Sequence, residues 1–544
     1  MTLWFAPEEF TAEERRLLTP YFTNLDSPVF ALVNLPEVTK GALFARYSRS
    51  AKSLRRLFLD EFAEHATEGV EPSAAVGADR AEELYQRVFL EYGDDSVAQL
   101  GGVHLACEQS SQILAKVLEW GRLMAYLEQS TRYVPYADRP GGRWRYAVPS
   151  EVESAGLGGR FAEVCDRAFE TYARWIDPVQ ELYRGAFPKD PADSDFVYRS
   201  TIRAKALDTL RGLLPAATRT NVGIYGTGQS YEQLLLRMRA QPLREVRDYA
   251  DLMLAELRKV IPAFLRRVDL PDRGGKWSNY LARTREATAR AGEELLGGIS
   301  PEPRPDVVLT DFDPEGELKV AAAALYSVTD LPDDQLLEAA RRMSAEERAR
   351  ILAAYTGDRT NRRHKPGRAF ERTGYRFDVL CDYGAFRDLQ RHRMLTMEWQ
   401  ELSPAFGYDM PAEVEAAGAL PDWVRTMEES AALHGELRGA GLGSGAQYAV
   451  SMAYRIRFVM QMNAREAMHL IELRSTPQGH PAYRRVAQEM HRLIGDEAGH
   501  TSIARAMRYA DHSSVELARL DAERRTEARR RAAEAAAAQR GEAG

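Results

Sequence analysis

Cysteine is scarce in this chain: Cys107, Cys165 and Cys381 are the only three in 544 residues, and they stand far apart. So few thiols exclude a disulfide framework, and the absence of a Cys-x-x-Cys pair excludes a cysteine-based zinc site; a reducing compartment fits best. Long apolar runs are missing too, so no segment of the sequence qualifies as a bilayer span. The opening residues Met1 to Glu9 lack a basic region followed by an apolar core. Positive charge is not in excess: the formal net charge is −7, which leaves no electrostatic footprint for nucleic acid. The expectation is a soluble cytoplasmic protein with neither membrane nor nucleic acid as partner. A hydrophobic content of 44% is ordinary for a globular chain of this length, enough for two or more cores.

What is present is an order of elements that occurs twice. Arg237-Met238-Arg239-Ala240-Gln241-Pro242, followed by Arg247 and Tyr249, is echoed by Glu472-Leu473-Arg474-Ser475-Thr476-Pro477, followed by Arg484 and Arg485. In each half this element follows an arginine-rich motif, which supports a diverged tandem duplication. Gly297-Gly298-Ile299-Ser300-Pro301, continuing to Pro305, joins backbone freedom to helix-breaking prolines and reads as a linker. The expected organisation is an N-terminal domain over 1–285, a linker over 286–310, a C-terminal domain over 311–515, and an Ala/Arg-rich helical tail over 516–544. Apolar spacing predicts long, largely buried helices over 104–129 and 452–474, and strands over 28–34, 306–311 and 375–380. Helices packed on small sheets in each half make an α+β fold.

Three constellations could carry chemistry. Arg391-His392-Arg393 crowds cationic side chains among Leu389, Met394, Leu395 and Met397; taken alone it could be a solvated basic turn, but charge threaded through an apolar run suits a partly buried site for a phosphate or an electron-rich ring. Asn463-Ala464-Arg465-Glu466-Ala467-Met468-His469, running on to Glu472 and Arg474, places Arg465, His469 and Glu472 on one polar stripe of a helix. Its bland reading is a surface laced with ion pairs. Glu128-Gln129-Ser130-Thr131-Arg132-Tyr133 offers hydroxyl and guanidinium donors for an anion, or simply a capped helix end.

Together these strings resemble flavin-dependent thymidylate synthases, whose signature is Arg-His-Arg, seven residues, then Ser-x-Arg-Tyr. The first half keeps Ser130-Thr131-Arg132-Tyr133 at the right distance from Arg122 but has Trp120 and Gly121 in place of Arg and His. The second keeps Arg391-His392-Arg393 and loses the end, with Pro404-Ala405-Phe406-Gly407 there instead. Asn463, Arg465, His469, Glu472 and Arg474 match the family's Asn-x-Arg…His…Glu-Leu-Arg helix; Phe370-Glu371-Arg372 resembles its Phe-Glu-His element, with Arg372 for His; Arg211-Gly212-Leu213-Leu214-Pro215 resembles its Arg-x-x-Leu-Pro. The resemblance implies FAD held by Glu371, Arg391, His392, Arg393, Asn463, Arg465 and His469. It implies dUMP held by Glu128, Ser130, Arg132, Arg211 and Arg474, with Ser130 and Arg474 as the groups nearest catalysis and Arg474 polarising a uracil carbonyl. NADPH and methylenetetrahydrofolate would be co-substrates, dTMP the product, and no resident metal is implied. Because sites in this family are built from several chains of a tetramer, a fused pair needs only one side of a shared site in each half, and a homodimer would then form a pseudo-tetramer.

Two other readings stand beside it. Loss of motif ends in both halves fits a non-catalytic descendant that still binds flavin or nucleotide. Glu466 with His469, and Glu497 with His500, have the Glu-x-x-His spacing by which helix bundles hold two irons, although two further glutamates on other helices are not identifiable.

Overall fold

A computed structural model of the chain describes residues 8–26, 30–47, 52–63, 99–191 and 193–513. In chain order its main elements are β1 (Gly102–Ser111), α1 (Gln112–Leu118), β2 (Met124–Glu128), α2 (Gly158–Ala186), α3 (Asp195–Leu210) and β3 (Arg219–Thr227). After the helix Gly274–Leu296 follow β4 (Val307–Phe312), β5 (Gly374–Asp382), α4 (Tyr383–Gln390), β6 (Thr396–Trp399), α5 (Leu420–Gly439), β7 (Arg455–Asn463), α6 (Ala464–Arg474) and α7 (Pro481–Asp496). The series strand, short helix, strand, long helix, strand therefore occurs twice. The sheets agree: strand order β1-β3-β2 in one is repeated as β5-β7-β6 in the other, which adds β4 at its edge.

The strand-to-helix junctions share a cause. Ser111, Thr227, Asp382 and Asn463 each stand at a helix start and accept a backbone N–H three residues on, at 3.0, 3.3, 2.9 and 2.9 Å. Each cap satisfies a donor that the helix cannot, worth about 1 kcal/mol, and so fixes where extended backbone turns helical.

Packing divides the chain into two compact units along lines other than the sequence halves. One comprises Met1–Glu108, Gly121–Glu128 and Asn221–Ile299. Its sheet is covered by the helix Gly228–Arg239, whose buried Tyr231 donates to the carbonyls of Val103 and Ile224 at 3.0 and 3.2 Å.

The other unit comprises Gln109–Trp120, Gln129–Thr220 and Ser300–Gly544, so it draws on both halves of the sequence. Its four-stranded antiparallel sheet pairs β5 with β7 continuously from Gly374 opposite Asn463 to Asp382 opposite Arg455. α2 and α5 run antiparallel along a ladder of ion pairs, Arg160 with Glu436 at 3.2 Å, Arg167 with Glu429 at 3.0 Å, and Arg174 with Asp422. Exposed pairs of this kind set register more than stability. Backbone pairing is tighter: Ala216 donates to Val450 (2.8 Å), Met452 to Leu214 (2.9 Å) and Ala453 to Gly212 (3.0 Å). Gly212 has to be glycine, since a Cβ there would stand 2.7 Å from the buried Trp423 ring. The Arg211–Pro215 segment is thus locked against its counterpart near Ser451.

Several expectations need correction. Residues 104–129 form β1, α1 and β2, not one helix, and 452–474 are β7 followed by α6. The strands at 306–311 and 375–380 are present as β4 and β5. At 28–34, part of the segment lies outside the described residues, and Leu32 makes only an isolated bridge to Phe22. The start of the proposed linker is helical to Leu296; 297–306 carry neither helix nor strand. The tail over 516–544 lies outside the described residues. The mixed α+β class with small sheets holds. Among the described residues no helix is long and apolar enough to cross a membrane.

Candidate functional site

Two buried carboxylates organise the arginines that the sequence singles out. Asp208 sits on the last turn of α3. The turn after Ser130, whose hydroxyl accepts the Arg132 N–H at 3.2 Å, presents Arg132 to it: Nε donates to both oxygens at 2.9 and 2.7 Å, and Nη2 stands 2.6 Å from Oδ2. Arg211, one turn beyond Asp208, is buried with Nη1 3.9 Å from Asp208 and 3.7 Å from Asp388. Asp388, on the buried face of α4, pairs with Arg391 one turn on, and Arg474 Nη1 lies 3.9 Å away. Burial works to raise the Asp388 carboxyl, but the guanidiniums of Arg391, Arg211, Arg474 and Arg132 outweigh it and hold it well below the usual range. First-half Arg132 and Arg211 thereby meet second-half Arg391 and Arg474 around two acids.

From Arg474 a second chain runs through His392. Arg474 Nε donates to His392 Nε2 at 2.9 Å, and His392 Nδ1 lies 3.1 Å from Glu466 Oε1. A guanidinium nitrogen only donates, so Nε2 accepts and the proton sits on Nδ1, directed at Glu466. Burial lowers His392 to about 4, against the pull of Glu466. Glu466 drops to about 2, where His392 and His469 hydrogen bonds overcome its burial. His469 Nδ1 is 3.4 Å from Glu466 Oε2, and the two imidazoles meet edge to face at 5.3 Å. Asn463, by capping α6, sets the phase that brings Glu466 and His469 onto this side.

His392, Glu466 and His469 offer donor atoms within 4.8 Å of one another. A cation there would have to replace the Nδ1 proton and would face the Arg474 guanidinium across the same ring. The arrangement suits a hydrogen-bond chain better than a metal. In the di-iron reading, His500 has both nitrogens engaged elsewhere, Nδ1 with Tyr375 Oη at 2.8 Å and Nε2 with the Asp313 carbonyl at 3.0 Å.

Beside the acids opens a cavity of about 770 Å³, of the size that takes a small organic ligand. Arg132, Lys205, Asp208 and Arg211 line it from the first half; Asp382, His480 and Arg485 line it from the second. Burial pushes Asp382 up to about 6 although Arg211 pulls the other way, and burial keeps His480 neutral by lowering it far below its usual value.

The remaining candidates lie as follows. Glu371 and Arg465 pair at 3.6 Å, and Arg465 Nε also donates to the Pro366 carbonyl at 3.0 Å. Arg393 is exposed just past α4. Arg391, Arg393, Arg465 and the partly exposed His469 thus present basic groups at the surface, a donor set that suits the phosphates of a dinucleotide such as FAD. Both ring nitrogens of His392 and the Oδ1 of Asn463 are committed to the frame. Glu128 ends β2 opposite Val222 in the first compact unit. Arg132 and Arg211 line the cavity; Ser130 shapes the turn before Arg132, and Arg474 is committed to His392 and Asp388. Trp120, where the signature has Arg, donates Nε1 to the Met397 carbonyl at 3.2 Å and meets Trp399 edge-on at 5.4 Å. Reasoning from sequence passed over Asp208 and Asp382 and gave Asp388 no role. The i,i+3 spacing of Asp208 to Arg211 and of Asp388 to Arg391 was the available signal.

Residues 42–263 and 308–498 match the family Thy1, described as thymidylate synthase complementing protein. A UPF0159 protein of Chlamydia muridarum is 38% identical over 96% of this chain and 99% of its own length. One of Thermoplasma acidophilum is 30% identical over 89% and 98%. A flavin-dependent thymidylate synthase of Clostridium tetani is 23% identical over 36% of this chain and 73% of that protein. Among solved structures, the UMP/dUMP methylase PolB of Streptomyces cacaoi, bound with 5-Br dUMP, aligns at 19% identity with a TM-score of 0.31, over 38% of this chain and 97% of that one; so slight a likeness carries no argument.

Proposed function

The chain belongs to the Thy1 family of thymidylate synthase complementing proteins, twice over, and from that premise we infer that it methylates dUMP to dTMP at one composite site. The supporting observation is the meeting of Arg132 and Arg211 with Arg391 and Arg474 on Asp208 and Asp388, beside a cavity large enough for a mononucleotide. In this reading each half retains one side of the site, which accounts for the complementary motif losses.

The dUMP phosphate meets Lys205 and Arg485 at the cavity, with Arg132 fixed by Asp208 as part of its positive wall. Arg474 is kept in one orientation by His392 and Asp388 and donates toward a pyrimidine carbonyl as carbon is delivered. Arg391, Arg393 and Arg465 hold the phosphates of FAD. Bound flavin supplies the hydride, recharged by NADPH, while methylenetetrahydrofolate supplies the carbon. No cysteine is needed, in keeping with three thiols that are all buried. A dimer of the chain would be the counterpart of the family's tetramer.

A second reading, a non-catalytic flavin or nucleotide binder, draws on the self-pairing of Arg132 with Asp208, which occupies a guanidinium that a phosphate would otherwise take. The test is dTMP formation by the purified chain given dUMP, methylenetetrahydrofolate, NADPH and FAD, with Arg211→Met and Arg391→Met alongside. Turnover lost in both variants supports the composite site; FAD binding without turnover in the unaltered chain favours the binder.

A further inference from the structure

We propose that Arg211 and Asp382 together read the imide edge of a uracil ring, making Asp382 a specificity-determining residue. This rests on the reading of the cavity as a dUMP site. Three buried polar atoms of cavity-lining residues have no hydrogen-bond partner: Arg211 Nη2 and Trp423 Nε1, both donors, and Asp382 Oδ2, the one acceptor among them. The other ends of Arg211 and Asp382 face elsewhere. Asp382 Oδ1 caps α4 through the Ala385 N–H at 2.9 Å, and Arg211 Nη1 faces Asp208 and Asp388.

Both side chains also approach one backbone position. Both close over Gly384, where an added Cβ would lie 2.9 Å from Arg211 Nε and 2.9 Å from Asp382 Oδ1. A methyl group would press on both side chains, so the glycine leaves room for a donor and an acceptor on the same stretch of cavity wall. Buried polar groups without partners are rare, and each one calls for a ligand or another explanation. Adjacent N–H and carboxylate oxygen complement a carbonyl next to an N–H, which uracil offers at N3 and its flanking carbonyls. Cytosine reverses that edge: its N3 carries a lone pair that would face the carboxylate. A site built to hydrogen-bond one pattern rejects the other far more strongly than an apolar pocket can.

The test is calorimetric titration of the full chain with dUMP and with dCMP, for the unaltered protein, Asp382→Asn and Asp382→Ser. Both substitutions can still cap α4, so folding is protected, while serine withdraws the second oxygen from the cavity. The unaltered chain should prefer dUMP by at least tenfold, and both variants should lose that preference, chiefly by weaker dUMP binding. Preference for dUMP that survives both substitutions overturns the assignment of Asp382. Equal binding of dUMP and dCMP by the unaltered chain overturns the imide reading while leaving a nucleotide site intact. Failure of the unaltered chain to bind either nucleotide overturns the underlying function, and this proposal with it.

Discussion

Replacing Asp388 by Asn would remove one of the two charges around which four guanidiniums gather. Arg211 and Arg474 stand 3.7 and 3.9 Å from its oxygens, with Arg391 in direct contact. At an effective dielectric of about 20, a pair at such separation is worth about 4 kcal/mol before desolvation is subtracted. Desolvation takes back most of that, but Arg211 stays buried after the substitution and Arg474 nearly so, and breaking a buried pair from one side typically costs about 3–5 kcal/mol. For a chain of this size the loss corresponds to a fall in Tm of roughly 3–4 °C. The sharper measurement is a double-mutant cycle in urea with Arg211→Met, which removes one of the stranded cations. The pair should couple by about 1.5–3 kcal/mol, the double variant being less damaged than the sum of its parts. Acid adds a sign check. Asp388 has a depressed pKa, so its contribution is present above the unfolded value near 3.8 and is lost as pH falls through the folded value; the Asn variant should lack that acid sensitivity. Additivity within about 0.5 kcal/mol, or an unchanged Tm, would refute the shared-charge account.

His392 should remain neutral and protonated on Nδ1 down to about pH 4, which 15N NMR of labelled imidazole reads directly; a midpoint near 6.5 would sink the Glu466–His392–Arg474 chain. With its folded pKa below the unfolded 6.5, the unfolded state binds the proton first, so this group withdraws on the order of 3 kcal/mol of stability as pH drops from 6.5 to 4 and nothing above that window. Asp382 works in the opposite sense, because its folded value near 6 exceeds the unfolded 3.8: it destabilises the fold above pH 6 and ceases to do so below 4. Asp382→Asn should therefore raise the unfolding free energy measured in urea at pH 7.5, by at most about 3 kcal/mol, and leave it unchanged at pH 3.5; equal effects at both pH values would show that the carboxyl is not strained by burial.

The cluster around Asp208 and Asp388 gathers arginines that the sequence singles out by residue type and spacing. Arg132, Arg211, Arg391, His392 and Arg474 could be picked out without any knowledge of packing. The strand-rich stretches were less visible. Over 104–129, Leu105, Cys107, Ile113, Leu114, Val117 and Leu118 satisfy a helical period when counted together, yet Ser111 caps a new helix and Gly121 lies between α1 and β2. In β7 the alternation was there to read: Ile456, Phe458, Met460 and Met462 are buried in succession, a period of two that ends at the Asn463 cap. A moment summed across a cap averages two periods and reports neither.

The neutralising aspartates were the systematic omission, and the reason is physical. A guanidinium advertises itself as a ligand for anions, so an arginine cluster is read as pointing outward to a substrate. A buried cluster must first be neutralised from within, and the neutralising carboxylates lie wherever the fold puts them: Asp208 at a distance of 76 residues from Arg132, Glu472 at 113 from the buried Arg359, which it grips at 2.7 and 2.5 Å. Glu472 is a motif residue whose side chain is wholly spent on this internal pairing. A motif match therefore locates a site without saying which of its charges face the ligand. That distinction follows from which polar atoms remain unpartnered after the internal pairs are made, and by that criterion Arg211, Trp423 and Asp382, not the paired Arg132 and His392, are the cavity residues in need of a partner, Asp382 alone supplying an acceptor.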